Sequence, residues 1–171
     1  MSTINTLEEF GKRVVKQSRQ NLTKKKKNAS KELYDSLSYN ISENNGTFVL
    51  SFSMADYGEF VDKGVKGIGG TKADGSKYVL KKVTNNNFKY KKGIQNKPSR
   101  KHFDKWIVKR GIAPRNSSGQ FTTRIGLSIA ISYHVWHTGL ETTNFFTTPL
   151  EQNFNKLSDD LLNSFANDII L

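Results

Sequence analysis

Alternation of apolar and polar residues is clearest at 47–54 (TFVLSFSM), where Phe48, Leu50, Phe52 and Met54 take every second position. A period of two lines one face of a β-strand. Asn45 and Gly46 stand just before it; both tolerate positive φ, so a tight hairpin turn is expected there. The partner strand is 38–43 (SYNISE), with Tyr39 and Ile41 at the same period. Beyond Met54 the spacing changes. Tyr57, Phe60 and Val61 are placed as on a helix, and Gly64 suits its end. The stretch 47–64 therefore predicts a buried strand running into a short helix. Tyr57 and Phe60 are expected to be buried packing residues, and Asp56, Glu59 and Asp62 surface or interface charges.

Helical spacing dominates both ends of the chain. Residues 5–28 predict a first helix with Leu7, Phe10, Val14 and Leu22 near one stripe and Ser18 breaking it. Asn5 or Thr6 is the expected cap, Glu8 and Glu9 suit the positive end of the helix dipole, and the run 24–27 (KKKK) suits the negative end. A solvated helix end is the plain reading of that run, and a phosphate contact is the sharper one. Leu33 and Leu37, four apart, mark a short segment at 30–37 that leads into the hairpin. At the other end, 148–151 (TPLE) reads as a capping box with Pro149 at the first helical position. Leu150, Phe154, Leu157, Leu161, Phe165 and Ile169 follow at spacings of three and four, which predicts a core-facing stripe.

Between these ends the texture is different. Residues 64–78 are rich in Gly and Lys, and 83–97 are polar with isolated aromatics. They predict an extended, poorly packed excursion, with some short strand pairing near 78–83 and 88–90. Ser99 is a plausible cap for a helix with Phe103, Trp106 and Ile107 as its inward stripe and Gly111 as its end. A loop at 113–120 follows. Thr122 or Thr123 then opens a helix that ends at Gly139, with Ile125, Ile129, Tyr133 and Trp136 on one face and Leu127, Ile131 and Val135 partly covering another. Alternation from 125 to 135 also fits a strand.

Composition sharpens this picture. Hydrophobic content is 35 % and, even with the 13 Gly added, stays below the roughly 45–50 % of ordinary domains counted with Gly, so part of the surface is loop or partner-covered. With no cysteine, disulfides, thiolate metal sites and cysteine catalysis are excluded. No apolar run approaches the ~20 residues of a membrane span, and the N-terminus lacks the apolar core of a signal peptide. Net charge is +12, but residues 63–115 hold 16 Lys and Arg against Asp74 and Asp104, while 141–171 hold five acids against Lys156. Opposite blocks in one small chain point to an interaction surface. Its candidate contacts to a partner or nucleic acid are Lys81, Lys82, Lys89, Lys91, Lys92, Arg100, Lys101 and Lys105. Tyr78, Phe88, Tyr90, Phe103 and Trp106 are interleaved with them and could stack on bases, although 103 and 106 have the spacing of a packed helix face.

Signs of catalysis are weak. The stretch 64–71 (GVKGIGGT) lacks the Lys-Ser/Thr pair of a phosphate loop. His134 and His137 have a usable metal spacing but no third ligand nearby in sequence. Asp56, Glu59 and Asp62 could hold Mg²⁺ or act as an acid–base pair, yet no nucleophile accompanies them. No G-x-S-x-G elbow occurs. No catalytic residue, metal or cofactor is expected.

Four segments in order resemble the gene-product-ten-like head–tail joining and tail-completion proteins of tailed phages. They are 32–37 (ELYDSL), the box 56–64 (DYGEFVDKG) with Tyr57, Phe60 and Gly64, the segment 129–140 (IAISYHVWHTGL), and 144–150 (NFFTTPL) with Phe145, Phe146, Pro149 and Leu150. The acid and glycine of the middle box are shifted from the usual order. The resemblance covers roughly 5–64 and 122–170. It implies an α+β fold, a small antiparallel hairpin sheet packed against long N- and C-terminal helices. Residues 1–64 and 122–171 would form this core and 65–121 a basic inserted arm. It also implies a non-enzymatic virion protein without cofactor, assembled in the host cytoplasm as a homo-oligomeric ring in the phage neck. The partners would be portal or adaptor and tail proteins, with possible DNA proximity and no membrane. A basic nucleic-acid-binding protein using 63–115 is the alternative.

Overall fold

The computed structural model describes residues 3–27, 29–84 and 87–169, with side chains described as far as residue 166. In chain order the elements are α1 (Thr3–Lys24), α2 (Glu32–Ser36), β1 (Ser38–Asn44), β2 (Thr47–Ser53), α3 (Gly58–Lys63), β3 (Val65–Lys66), a 3-10 turn (Ile94–Asn96), α4 (Arg100–Lys109), α5 (Arg124–Thr138), β4 (Gly139–Leu140) and α6 (Thr147–Ile169). They form two compact units. Unit 1 is Met1–Gly58 with Asn144–Leu171, and unit 2 is Glu59–Thr143. The boundaries differ from a core of 1–64 plus 122–171, because α5 packs on α4 and so falls with the inserted segment.

Unit 1 is the α+β fold expected. β1 and β2 pair antiparallel from Ser38↔Ser53 to Asn44↔Thr47. Asn45 and Gly46 turn the hairpin with φ of 49° and 77°. One face of the ladder is exposed and polar apart from Val49; the other sends Ile41, Phe48, Leu50 and Phe52 onto Leu7, Phe10, Val14 and Leu157. Phe52 meets Phe10 and Phe146 edge-on, at centroid distances of 6.2 and 5.4 Å. Edge-to-face rings add about 0.5–1.5 kcal/mol each beyond their burial. α1 presents the expected stripe, and Ser18 is fully buried within it. Its start lies at Thr3, so Asn5 and Thr6 sit inside the helix rather than capping it.

The apolar face of α6 departs from the spacing argument. The helix buries Pro149, Asn153, Leu157 and Ser164, with Leu150 and Leu161 partly buried, while Phe154, Leu162 and Phe165 are 63, 70 and 49 % exposed. Asn153 donates to Gln17 Oε1 at 2.7 Å and Arg13 pairs with Asp160 at 3.3 Å, so polar groups fix part of the α1–α6 seam. The helix begins at Thr147, which puts Pro149 in the first turn rather than at its first position. There its missing N–H still costs nothing. The side chain of Ile169 lies outside those described.

In unit 2 the caps are as expected. Ser99 Oγ accepts from Lys101 N at 3.4 Å and Thr123 Oγ1 from Gly126 N at 3.1 Å. The helical reading of 124–138 holds, but the first of its two expected faces does not, while Leu127, Ile131 and Val135 on the other are half-buried. Ile125, Ile129 and Tyr133 are exposed, and Trp136 is buried together with Ser128 and Ser132. Trp106 is 39 % exposed, leaving Ile107 as the buried residue of α4. Small serines let α5 approach its neighbours closely. Ser132 Oγ donates to Pro98 O and accepts from Lys97 Nζ at 3.1 Å.

The glycine-rich stretch after Gly64 is irregular but tied down. Ile68 N and Gly69 N donate to Trp136 O and His137 O, Lys81 N to Thr138 O, and Lys66 exchanges hydrogen bonds with Phe88 and Tyr90. It is therefore held to the C-terminal end of α5 rather than loosely packed. Near 78–83 and 88–90 no named strand forms among the described residues; the chain is held there by these bonds, by Tyr78 N donating to Gly70 O and Thr142 N to Lys82 O, and by the bridge Lys66↔Lys89. Residues 85 and 86 lie outside the described residues.

Candidate functional site

Unit 2 carries the charge. It holds 17 Lys and Arg against five Asp and Glu, a net +12, whereas unit 1 holds ten of each. All eight cations singled out from the sequence are exposed. Lys81, Lys82, Lys89, Lys91 and Lys92 stand on the irregular segment, and Arg100, Lys101 and Lys105 on α4. Their backbones are fixed. Thr142 N donates to Lys82 O at 3.1 Å and Trp136 Nε1 to Lys91 O at 3.0 Å. The surface is thus a framework of side-chain cations on a held chain, suited to a polyanion or an acidic protein face.

The interleaved aromatics mostly serve the framework. Tyr78 stacks on His137 at 4.3 Å with the rings 5° from parallel, and Phe88 meets Phe60 at 4.7 Å. Burial pushes the Tyr90 phenol above its ordinary range. Phe103 is half-buried, so Trp106 is the ring most open to stacking.

The family-like box at 56–64 is less buried than expected. Tyr57 is 38 % and Phe60 42 % exposed. Burial, then the nearby Glu32, raises the Tyr57 phenol. Asp62, expected at the surface, is buried at 3 %. Gly64 has φ 76°, and a Cβ there would lie 2.6 Å from Leu140 O, so glycine is required. In the last box Phe145 and Pro149 are fully buried, and Phe146 and Leu150 pack against the core of unit 1.

No group of three or more metal-type ligands occurs among the described residues. Glu59 pairs with Lys63 at 2.7 Å and Asp62 is buried, so the three spaced acids do not converge. His137 Nδ1 donates to Gly69 O at 2.5 Å, which commits that nitrogen to structure. Among the described residues, no helix is long and apolar enough to cross a membrane.

Thr142 and Thr143 were not singled out by sequence, yet they hold the ends of unit 2. Thr142 Oγ1 donates to Lys63 O at 2.6 Å, and Thr143 Oγ1 to Val61 O at 2.7 Å. A pair of threonines after a β-bridge has no periodic signature. No family model, curated protein or solved structure matches the chain.

Proposed function

We propose that the chain is a non-enzymatic virion structural protein of the phage head–tail interface, acting in a neck or connector ring by assembly and sealing. The observation that carries this reading is the work done by the family-like boxes. Gly64, Phe145, Phe146, Pro149 and Leu150 sit at chain junctions and in the core rather than around reactive groups. The hairpin between the N- and C-terminal helices is the architecture that the resemblance implies. Its partners are further copies of the chain, the portal or its adaptor, and tail proteins. Exposed Phe154, Leu162 and Phe165 on α6 and Ile125, Ile129 and Tyr133 on α5 offer apolar surface to neighbours. The test is co-expression with portal and tail proteins, followed by sizing and electron microscopy. A ring joined to particles is expected. A chain that stays monomeric and never enters particles overturns the reading.

Nucleic-acid binding through unit 2 is the second reading, favoured by the +12 carried there. A steep loss of DNA affinity with salt, abolished by reversing Lys101 and Lys105, would support it.

A further inference from the structure

Unit 1 is neutral as a whole, yet residues 10–31 hold nine Lys and Arg and no acid. Four of these cations line one groove of about 730 Å³ beside α1: Lys12, Lys16, Arg19 and Lys24, with Tyr34 of α2 and Tyr39 of β1 also in its lining. No carboxylate lines it. Its size falls within the ~300–1,000 Å³ of ordinary ligand sites.

The walls are fixed before any ligand arrives. Arg19 Nε donates to Tyr34 O at 3.0 Å and Nη2 to Leu37 O at 2.8 Å, and the guanidinium lies 5.2 Å from the Tyr34 ring centre. The Tyr39 ring lies flat against Gly11, where a Cβ would come within 2.6 Å of it. Lys12 is shared with Glu8 and Glu9 on the exposed rim. Lys16 and Lys24 are exposed and make no ion pair among the described residues. Aligned, unpaired like charges repel one another, and a ligand of opposite charge removes that penalty.

The arrangement of the cations narrows the ligand. Lys12, Lys16 and Arg19 follow at spacings of four and three, so each lies about 4.5–6 Å further along the helix axis. Lys24 then opens the run 24–27 at the helix end. Charges repeated along a line suit a linear polyanion better than a single phosphate. The two tyrosines add aromatic surface beside that line, which bases can use only when unpaired. We infer that this groove binds a single-stranded nucleic acid, its phosphodiester backbone along α1 and its bases toward Tyr34 and Tyr39. The site uses residues of unit 1 alone and does not depend on ring assembly.

The test uses the full chain carrying Lys101→Glu and Lys105→Glu, which weakens the contribution of unit 2. Binding of labelled oligothymidine is followed by fluorescence anisotropy across a salt series. Adding Lys16→Gln with Lys24→Gln should lower affinity about tenfold and make the log–log salt slope shallower by about 1.4, the share of two phosphate contacts on a single strand. Iodouracil-substituted oligonucleotide should crosslink to Tyr34 or Tyr39. Circular dichroism checks that the variants remain folded; both lysines are exposed, so they should. Unchanged affinity and slope overturn the inference, as do crosslinks confined to residues 59–143. Equal displacement by polyglutamate would overturn it in favour of an acidic peptide, and stronger binding of duplex than of single strand would also end it.

Discussion

Unit 1 and unit 2 are nearly equal in length and are held together differently. Among the described residues, unit 1 buries nine large apolar ones, including Phe10, Val14, Leu22, Leu37 and Phe145. Unit 2 buries Val65, Ile107 and Trp136, and hides Asp62, Ser128, Ser132, Thr138 and Thr143 beside them. Unit 1 is neutral; unit 2 carries the entire net charge. The first rests on burial of apolar surface, at roughly 25 cal/mol per Å². The second rests on hydrogen bonds arranged around one helix, and it works against its own repulsion. A unit of that second kind gains most from a partner that brings negative charge.

The contrast breaks most sharply along α6. Phe145→Ala, just before the helix, should cost ~3–5 kcal/mol in urea unfolding, as for a fully buried aromatic. Phe165→Ala should stay within ~0.5 kcal/mol, as for a surface change. Similar losses at both positions would mean that α6 buries its other stripe as well. In unit 2, Gly64→Ala should cost ~1–3 kcal/mol, since it forces a side chain into a left-handed backbone facing a carbonyl. A neutral result would show that the junction can shift. Phe60→Ala should cost ~0.5–1.5 kcal/mol, the scale of its edge-on pair with Phe88. A core-sized loss would show the ring to be covered.

Solution conditions separate the units without mutation. Both tryptophans, Trp106 and Trp136, lie in unit 2, so their fluorescence follows that unit. Added salt should raise its melting temperature by screening the +12; a fall would contradict the repulsion argument. Tyr90 supplies a smaller alkaline effect. Burial raises its pKa above 10.0 in the folded chain, so the unfolded chain loses its proton first. The contribution is complete below pH 10.0 and is lost as pH rises through the folded value. Tyr90→Phe should flatten that alkaline decline in thermal melts.

Local chemistry was legible in the sequence where one residue decides one conformation. Asn45 and Gly46 gave the hairpin, Ser99 and Thr123 the helix starts, and Leu7, Phe10, Val14 and Leu22 the buried face of α1. The faces of α5 and α6 were not legible. α6 carries two apolar stripes, Leu150–Leu157–Leu161 and Phe154–Leu162–Phe165, and periodicity cannot say which one meets α1. α5 buries serines, which a search for apolar residues passes over. The order of the segment after Gly64 comes from backbone bonds that leave no mark on side-chain pattern. The eight cations of unit 2 could be named from charge alone. The groove on α1 could not, because Tyr34 and Tyr39 join Lys12, Lys16 and Arg19 only after folding.

The closure of unit 2 at its own ends has a wider consequence. Val65 pairs with Leu140, Thr143 N donates to Asp62 O at 2.9 Å, and both threonine hydroxyls bond back to residues 61 and 63. A segment of this length enters and leaves through one narrow neck. Such a segment behaves as a cassette. Its interior can be lengthened, shortened or exchanged at small entropic cost, because loop closure grows only with the logarithm of length. The chain can thus vary its basic surface while the two threonines keep the doorway the same width.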